Sequence, residues 1–233
     1  MQIGLVPQEI NFNVFETPLN ILITQAGYYG IGKSTALERA EHYLKLLDLW
    51  DKHDQPARQM SGGMKRRLMI ARSLVHEPNV LILDEPTAGV DIEIRRSMWS
   101  FLEDINRQGT TIILTTHYLE EAETLCRNVA IIDDGTIVEQ GAVSELLSRA
   151  QFQSFVLDLK QPAETVPQLE GITVVQSEGT RLEIEMKLGD SMNGLFAQLS
   201  DQGIEVISMR NKSNRLEEFF LRLVGNNSQT GTA

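Results

Sequence analysis

NVLILDEP, residues 79–86, is an apolar run that ends in two acids and a proline. Such a run is the pattern of a strand covered on both faces, as in a parallel sheet. It delivers Asp84 and Glu85 to the C-terminal end of the strand, where open α/β sheets place their ligands. Two adjacent carboxylates there are costly unless a cation or a catalytic task accounts for them. Asp84 is suited to hold Mg²⁺ through a water, since magnesium keeps most of its hydration shell. Glu85 is then suited to orient an attacking water. The plainer alternative is that the two acids cap the next element.

Outward from this strand, Ile92–Arg107 reads as a helix with Gly109 at its C-terminal cap. TTIILTTH, residues 110–117, is a second buried strand. Strand, helix and strand in that order form a βαβ unit and imply a parallel sheet. Ile3–Val6 is a short strand leading to Pro7-Gln8, and Lys65–Val75 and Leu119–Cys126 are helices. Residues 128–141 read as a hairpin turning at Asp134-Gly135. Residues 1–150 are therefore expected to form an α/β domain. Beyond residue 150, SFVLDL and RLEIEMKL alternate with a period of two, and GIEVISM is a further strand. Met192, Leu195, Phe196 and Leu199 fall at helical spacing, and NRLEEFFLRL, residues 214–223, is another amphipathic helix. Residues 151–225 are expected to be a small α+β appendage with an antiparallel sheet, and residues 226–233 a disordered polar tail.

Of the 233 residues, 42% are hydrophobic, enough for a real core. No apolar run approaches the roughly 18 residues a membrane helix needs. MQIGLVPQE has neither the basic start nor the apolar core of a signal peptide. The single cysteine, Cys126, excludes an intrachain disulfide and fits a reducing cytosol. A net charge of −11 argues against broad nucleic-acid binding. The basic run Lys65-Arg66-Arg67 reads as a solvated helix face.

Three further stretches carry chemistry. Ser61, Gly62 and Gly63 precede a helix, where glycines let backbone N–H groups approach an anion and the helix N-terminus adds positive potential. A plain Ser-Gly-Gly turn is the alternative. His117 sits just past a buried strand, on the same sheet edge as Glu85, within reach of a terminal phosphate. Its alternative is a structural histidine at a strand end. TAGVD ends in Asp91, and reads otherwise as an ordinary turn.

Pro7-Gln8, Ser61-Gly62-Gly63, Asp84-Glu85, Ala88-Gly89-Val90-Asp91 and His117 fall in one order on one α/β frame. That order resembles the ATP-binding subunit of ABC transporters, over about residues 1–150. Gln8 looks like the family's Q-loop glutamine, MSGGM its signature, LILDEP its Walker B strand, AGVD its D-loop and His117 its switch histidine. SGGMKRR, with Met64 where many members carry glutamine, is similar to the drug- and antibiotic-exporter branch, which often has a small C-terminal appendage. The resemblance implies an ABC-type ATPase with ATP and Mg²⁺ as cofactors. Two copies would dimerise head to tail and sandwich ATP. Ser61, Gly62 and Gly63 would grip the γ-phosphate bound on the opposite subunit. Asp84 and Gln8 would position magnesium and water, and Glu85 would polarise the water. His117 would hold the γ-phosphate, and Asp91 would couple the two sites. A separate membrane-spanning permease would be the partner, with no nucleic acid involved. The chain would work in the cytoplasm, peripheral on the inner face of the cell membrane.

GYYGIGKS, Gly27–Ser34, fits the phosphate-loop pattern G-x-x-x-x-G-K-[ST]. It nevertheless lies after Gln8, whereas the family's phosphate loop lies before the Q-loop. A working loop also needs a strand before it. Here Leu19, Leu22, Ile23 and Ala26 form a helical stripe, with Thr17 as N-cap, Pro18 as first helical residue and Gly27 as the C-terminal glycine. Thr35-Ala36-Leu37-Glu38 reads as the capping box of the next helix. The expectation is a helix–loop–helix connection in a helical subdomain, a chain truncated at its N-terminus and a phosphate loop encoded ahead of Met1. Expressed alone, such a chain is expected to be unstable and inactive. The competing readings are a soluble non-transport ABC-type ATPase, a kinase that uses Gly27–Ser34 as a genuine phosphate loop, and a non-catalytic remnant that binds a permease.

Overall fold

Three parallel strands frame the N-terminal part of the computed structural model: β1 (Ile3–Val6), β2 (Val80–Asp84) and β3 (Thr111–Thr115), in the order β1-β2-β3. The described residues are 3–149, 152–163, 165–212, 216–217 and 219–220. They divide into two compact units, Met1–Tyr118 and Leu119–Ala233. The apolar run is the middle strand, with Val6 paired to Leu83 and Leu83 to Leu114. This register brings Pro7-Gln8, Glu85-Pro86 and Thr116-His117 out along one edge of the sheet. Burial is less even than the run suggests. Val6, Leu81 and Leu83 are fully buried, whereas on the opposite face Leu5 and Ile113 are 58% and 52% exposed and Ile82 between them is half-buried.

Four helices complete this unit: α1 (Pro18–Tyr28), α2 (Lys33–Leu46), α3 (Gly62–Leu74) and α4 (Ile92–Arg107). Thr17 caps α1 by accepting from the Asn20 N–H, and Pro18 opens it, as expected. The helix runs past Gly27, however. Gly30, at φ +73°, supplies the left-handed residue that ends it, and the Ile31 N–H bonds the Ala26 carbonyl at 3.1 Å. The predicted capping box at Thr35 does not form. The chain is already helical at Lys33, and the Ala36 N–H is taken by the Gly32 carbonyl at 2.9 Å. Likewise α3 starts at Gly62, ahead of the predicted Lys65, because the Ser61 hydroxyl accepts from the Met64 N–H at 3.3 Å. Leu22 and Ala26 of α1, Ala40 and Leu44 of α2, and Leu68 and Met69 of α3 are buried where these helices pack. Each buried leucine stabilises the fold by about 2 kcal/mol. Gly4 is needed where β1 meets α3, since a Cβ there would sit 2.5 Å from the Ser73 carbonyl oxygen.

The C-terminal unit holds α5 (Leu119–Leu125), the hairpin β4 (Asn128–Asp133) and β5 (Thr136–Ala142), and α6 (Val143–Arg149), a helix the sequence pattern had not marked. The hairpin turns at Asp134-Gly135 with both φ positive, as a two-residue turn of this kind requires. Then come β6 (Phe152–Leu159), β7 (Ile172–Glu178), β8 (Arg181–Lys187), α7 (Met192–Asp201) and β9 (Val206–Asn211). The four strands form an antiparallel sheet in the order β7-β8-β6-β9. β7 escaped the sequence reading because an irregularity between Val174 and Gln176 breaks its alternation. Phe155, Leu157, Leu182, Ile184 and Met186 pack against Leu195 and Leu199 of α7. Of the amphipathic stretch 214–223, Leu216, Glu217, Phe219 and Phe220 are helical, and the rest lies outside the described residues, as does the tail 226–233. Among the described residues no helix is long and apolar enough to cross a membrane.

On the other face of this sheet Glu183 is buried, with Lys212 Nζ 2.6 Å and Arg181 Nη2 2.9 Å from its carboxylate. The hydrogen bond from Lys212 is the main cause that holds its carboxyl below the usual range. A carboxyl depressed on folding stabilises above its unfolded pKa and loses that contribution as pH falls through the folded value. The Glu183→Gln chain should therefore lose less stability than the native chain between neutral and acidic pH, measured as the midpoint of thermal unfolding across that range.

Candidate functional site

The loops that leave β1, β2 and β3 carry the candidate residues. Glu85, directly after β2, adopts φ +50°, the left-handed conformation that a non-glycine residue enters only at a cost. Its N–H donates to the Thr115 carbonyl at 3.1 Å. Its carboxylate points across to β3's exit, where His117 Nδ1 lies 2.7 Å from Oε2. Only an imidazole N–H could donate across this distance, and in the arrangement described the buried Oε2 accepts no hydrogen bond. The His117 side chain is 61% exposed, against 17% for Glu85. Its ring lies on Tyr118, with centroids 4.1 Å apart, and Arg95 covers the Tyr118 ring at 4.3 Å. Asp84 ends β2, and its Oδ1 accepts from the Thr115 hydroxyl at 2.5 Å. Thr115 thus braces both acids, a role that nothing in the pattern TTIILTTH announces.

Gln8 is exposed beside them, held by the register of β1 against β2. Ser61 and Gly62 are exposed at the first turn of α3, and a Cβ on Gly62 would meet nothing within 4 Å. Gly63 has a packing reason as well: a Cβ there would lie 3.0 Å from Ile94 Cδ1. Asp91 caps α4 by accepting from the Ile94 N–H at 2.9 Å. The structure therefore brings Asp84, Glu85 and His117 into one cluster with Gln8 alongside. It gives Ser61 and Asp91 local work as helix caps.

Arg66 corrects the sequence reading outright. It is not part of a solvated face: it is 6% exposed, and its guanidinium reaches into the loops. Nε donates to the Pro86 carbonyl at 2.9 Å, Nη1 to the Pro7 and Gln8 carbonyls at 2.8 Å each, and Nη2 to those of Asp84 and Glu85. Arg67 is also tied, to the Leu47 carbonyl at 3.3 Å. Spacing within KRR could not reveal this, because the partners lie in segments far away in sequence.

Gly27–Ser34 runs from the last residues of α1 to the first of α2, with a helix rather than a strand before it, and Lys33 and Ser34 are exposed. A cavity of about 430 Å³ between β1, α1 and α3, lined by Leu5, Tyr29, Arg72 and His76 among others, contains none of the candidate residues. Among the described residues no three His, Cys, Asp or Glu side chains converge as a metal cluster.

Residues 1–88 match the ABC transporter family. The linearmycin resistance ATP-binding protein LnrL of Bacillus subtilis is 32% identical over 233 residues, covering 96% of this chain and 75% of its own length. The chain belongs to the ABC transporter family. Another family member, the Nod factor export ATP-binding protein I of Ralstonia nicotianae, is 41% identical over 148 residues, which are 64% of this chain and 46% of the relative. The chain thus spans about half the length of that relative. A solved dimer of the ATP-binding cassette MJ0796, in a post-hydrolysis state bound to ADP and Pi, superposes with a TM-score of 0.55 at 25% identity, covering 61% of this chain and 63% of that one. These likenesses agree with the α/β ABC ATPase fold and the exporter branch expected from the motifs.

As an N-cap, Asp91 predicts a stability effect separate from any role in chemistry. Asp91→Ala should lower the stability of the N-terminal unit by about 1 kcal/mol, read as a lower denaturant midpoint, and Asp91→Asn should recover most of it.

Proposed function

We propose that this chain is the ATP-binding and ATP-hydrolysing subunit of an ABC exporter, driving transport through a separate membrane-spanning permease. The observation that carries this reading is the cluster at the sheet edge, where Asp84, Glu85 and His117 converge beside Gln8. In this reading residues 1–150 form the ATPase domain and residues 151–225 an accessory domain. Two copies act head to tail, with Ser61, Gly62 and Gly63 of each facing the γ-phosphate held by the other and Asp91 coupling the two sites. The complex works on the inner face of the cell membrane, and nucleic acid is not a partner. The name of one relative, Nod factor export ATP-binding protein I, supports export as the direction.

The donor chemistry fits magnesium-bound nucleotide. Asp84 offers a carboxylate at the strand end, braced by Thr115, and Gln8 offers an amide oxygen. Magnesium keeps most of its shell as water and phosphate oxygen, so one carboxylate and one amide oxygen suit this ion. When bound, magnesium would neutralise charge developing on the phosphoryl oxygens. Glu85 sets Oε2 2.7 Å from His117 Nδ1 and has Oε1 to accept from the attacking water and orient it. Contact of His117 with a phosphate oxygen through Nε2 would need a proton on that nitrogen as well as on Nδ1, the imidazolium form. The exposed first turn of α3 presents backbone N–H groups and the Ser61 hydroxyl to an anion.

ATP hydrolysis by the protein purified with its membrane partner, from the cells that make it, tests the reading. Glu85→Gln should lower kcat by about 100-fold or more, the scale of a lost general base, with nucleotide still bound. A variant as active as the native complex would overturn the assignment. Lys33→Ala should leave ATP binding unchanged, whereas a large loss of affinity would restore Gly27–Ser34 as a phosphate loop.

A further inference from the structure

We infer that Arg66 is a positioning residue for the water-activating group: it holds the left-handed turn at Glu85 and so aims the carboxylate at His117. The inference rests on the proposed ATPase reading, since only there does the aim of Glu85 serve a reaction.

Glu85 turns at φ +50°, its N–H still bonded to the Thr115 carbonyl at 3.1 Å and its own carbonyl accepting from the Ala88 N–H at 3.2 Å, and the carbonyls of Asp84, Glu85 and Pro86 come round toward α3. A guanidinium carries five N–H donors in a fixed planar fork. Arg66 meets those three carbonyls and the Pro7 and Gln8 carbonyls as well. Those five oxygens belong to two loops that are remote in sequence and adjacent only because β1 pairs with β2. Arg66 itself stands on α3, two turns at most from Ser61, whose exposed first turn faces the proposed partner phosphate. One side chain therefore ties Gln8, Glu85 and α3 to a common frame. Lysine, a point charge without a fork, would satisfy fewer of these carbonyls. If Arg66 let go, the three carbonyls would turn toward other donors, and the 2.7 Å approach of His117 Nδ1 to Glu85 Oε2 would be the first casualty.

The tautomer of His117 reads this directly. The whole chain is labelled with ¹⁵N and its four histidines are followed by two-bond proton–nitrogen correlations. Native His117 should show the Nδ1–H form. His53, whose Nδ1 lies 2.7 Å from the Trp50 carbonyl oxygen, should show the same form and serves as an internal reference on a different element. Glu85→Ala defines complete loss of the His117 signature. Arg66→Met, which keeps the stem but no donor, should produce most of that loss with His53 unchanged, and Arg66→Lys should restore part of it. An Arg66→Met chain with both signatures intact overturns the inference. So does a native chain in which His117 is not the Nδ1–H form. Should Arg66→Met lose the His53 signature too, the fold has gone and Arg66→Lys decides by the same criterion: a weakened His117 signature upholds the inference and an unchanged one overturns it. No nucleotide enters the measurement, so its failure and a failure of the ATPase reading are told apart.

Discussion

One buried cation sets the geometry of the N-terminal unit. Bringing the Arg66 guanidinium out of water is costly, and carbonyl dipoles help to offset that cost. Five are supplied by two loops that leave neighbouring strands at the same level. The dependence is mutual. The loops bend sharply enough to turn their carbonyls away from the sheet, and the guanidinium is the donor that makes the bend tolerable. A hydrogen bond to a charged group contributes more than a neutral one, and an orphaned buried carbonyl is penalised in full. The strained φ at Glu85 persists because the surroundings over-determine it.

Around that clamp, residues with a proposed chemical role also hold local structure. Ser61 and Asp91 accept from backbone N–H groups and start α3 and α4. Gly63 gives Ile94 room, and Thr115 braces both Asp84 and Glu85. The alternatives weighed for these motifs, a cap, a turn, a structural histidine, are thus partly true of the fold itself. What lifts the site above them is convergence. His117, Glu85 and Asp84 meet at the exposed end of one sheet, a place where a capping role does not require two acids and an imidazole together.

The antiparallel unit behind residue 150 is built on a different principle. Its strands keep one dry face against α7 and one wet face, yet Glu183 is buried on the wet side under Lys212 and Arg181. Alignment with LnrL extends over 96% of the chain, so this unit is part of what the two proteins share.

Much of this was legible in the order of residues. NVLILDEP, TTIILTTH and Ile92–Arg107 form the strands and the helix expected of them, although β2 is buried on one face only and no residue of β3 is buried. Thr17-Pro18 and the Asp134-Gly135 turn also form as expected. Local rules also exposed Gly27–Ser34 as a helix–loop–helix despite its motif. Where two local signals competed, the outcome needed coordinates: Gly30 rather than Gly27 ended α1, and Gly32 pre-empted the capping box at Thr35. An irregularity hid β7 by breaking its alternation. Above all, a basic run on a helix looks the same whether its arginine faces water or carbonyls. Sequence spacing encodes which residues share a helix face or a strand. Only the pairing of β1 with β2 decided that two remote loops would bring their carbonyls together within reach of Arg66, because a hydrogen bond depends on distance in space and carries no mark in the chain.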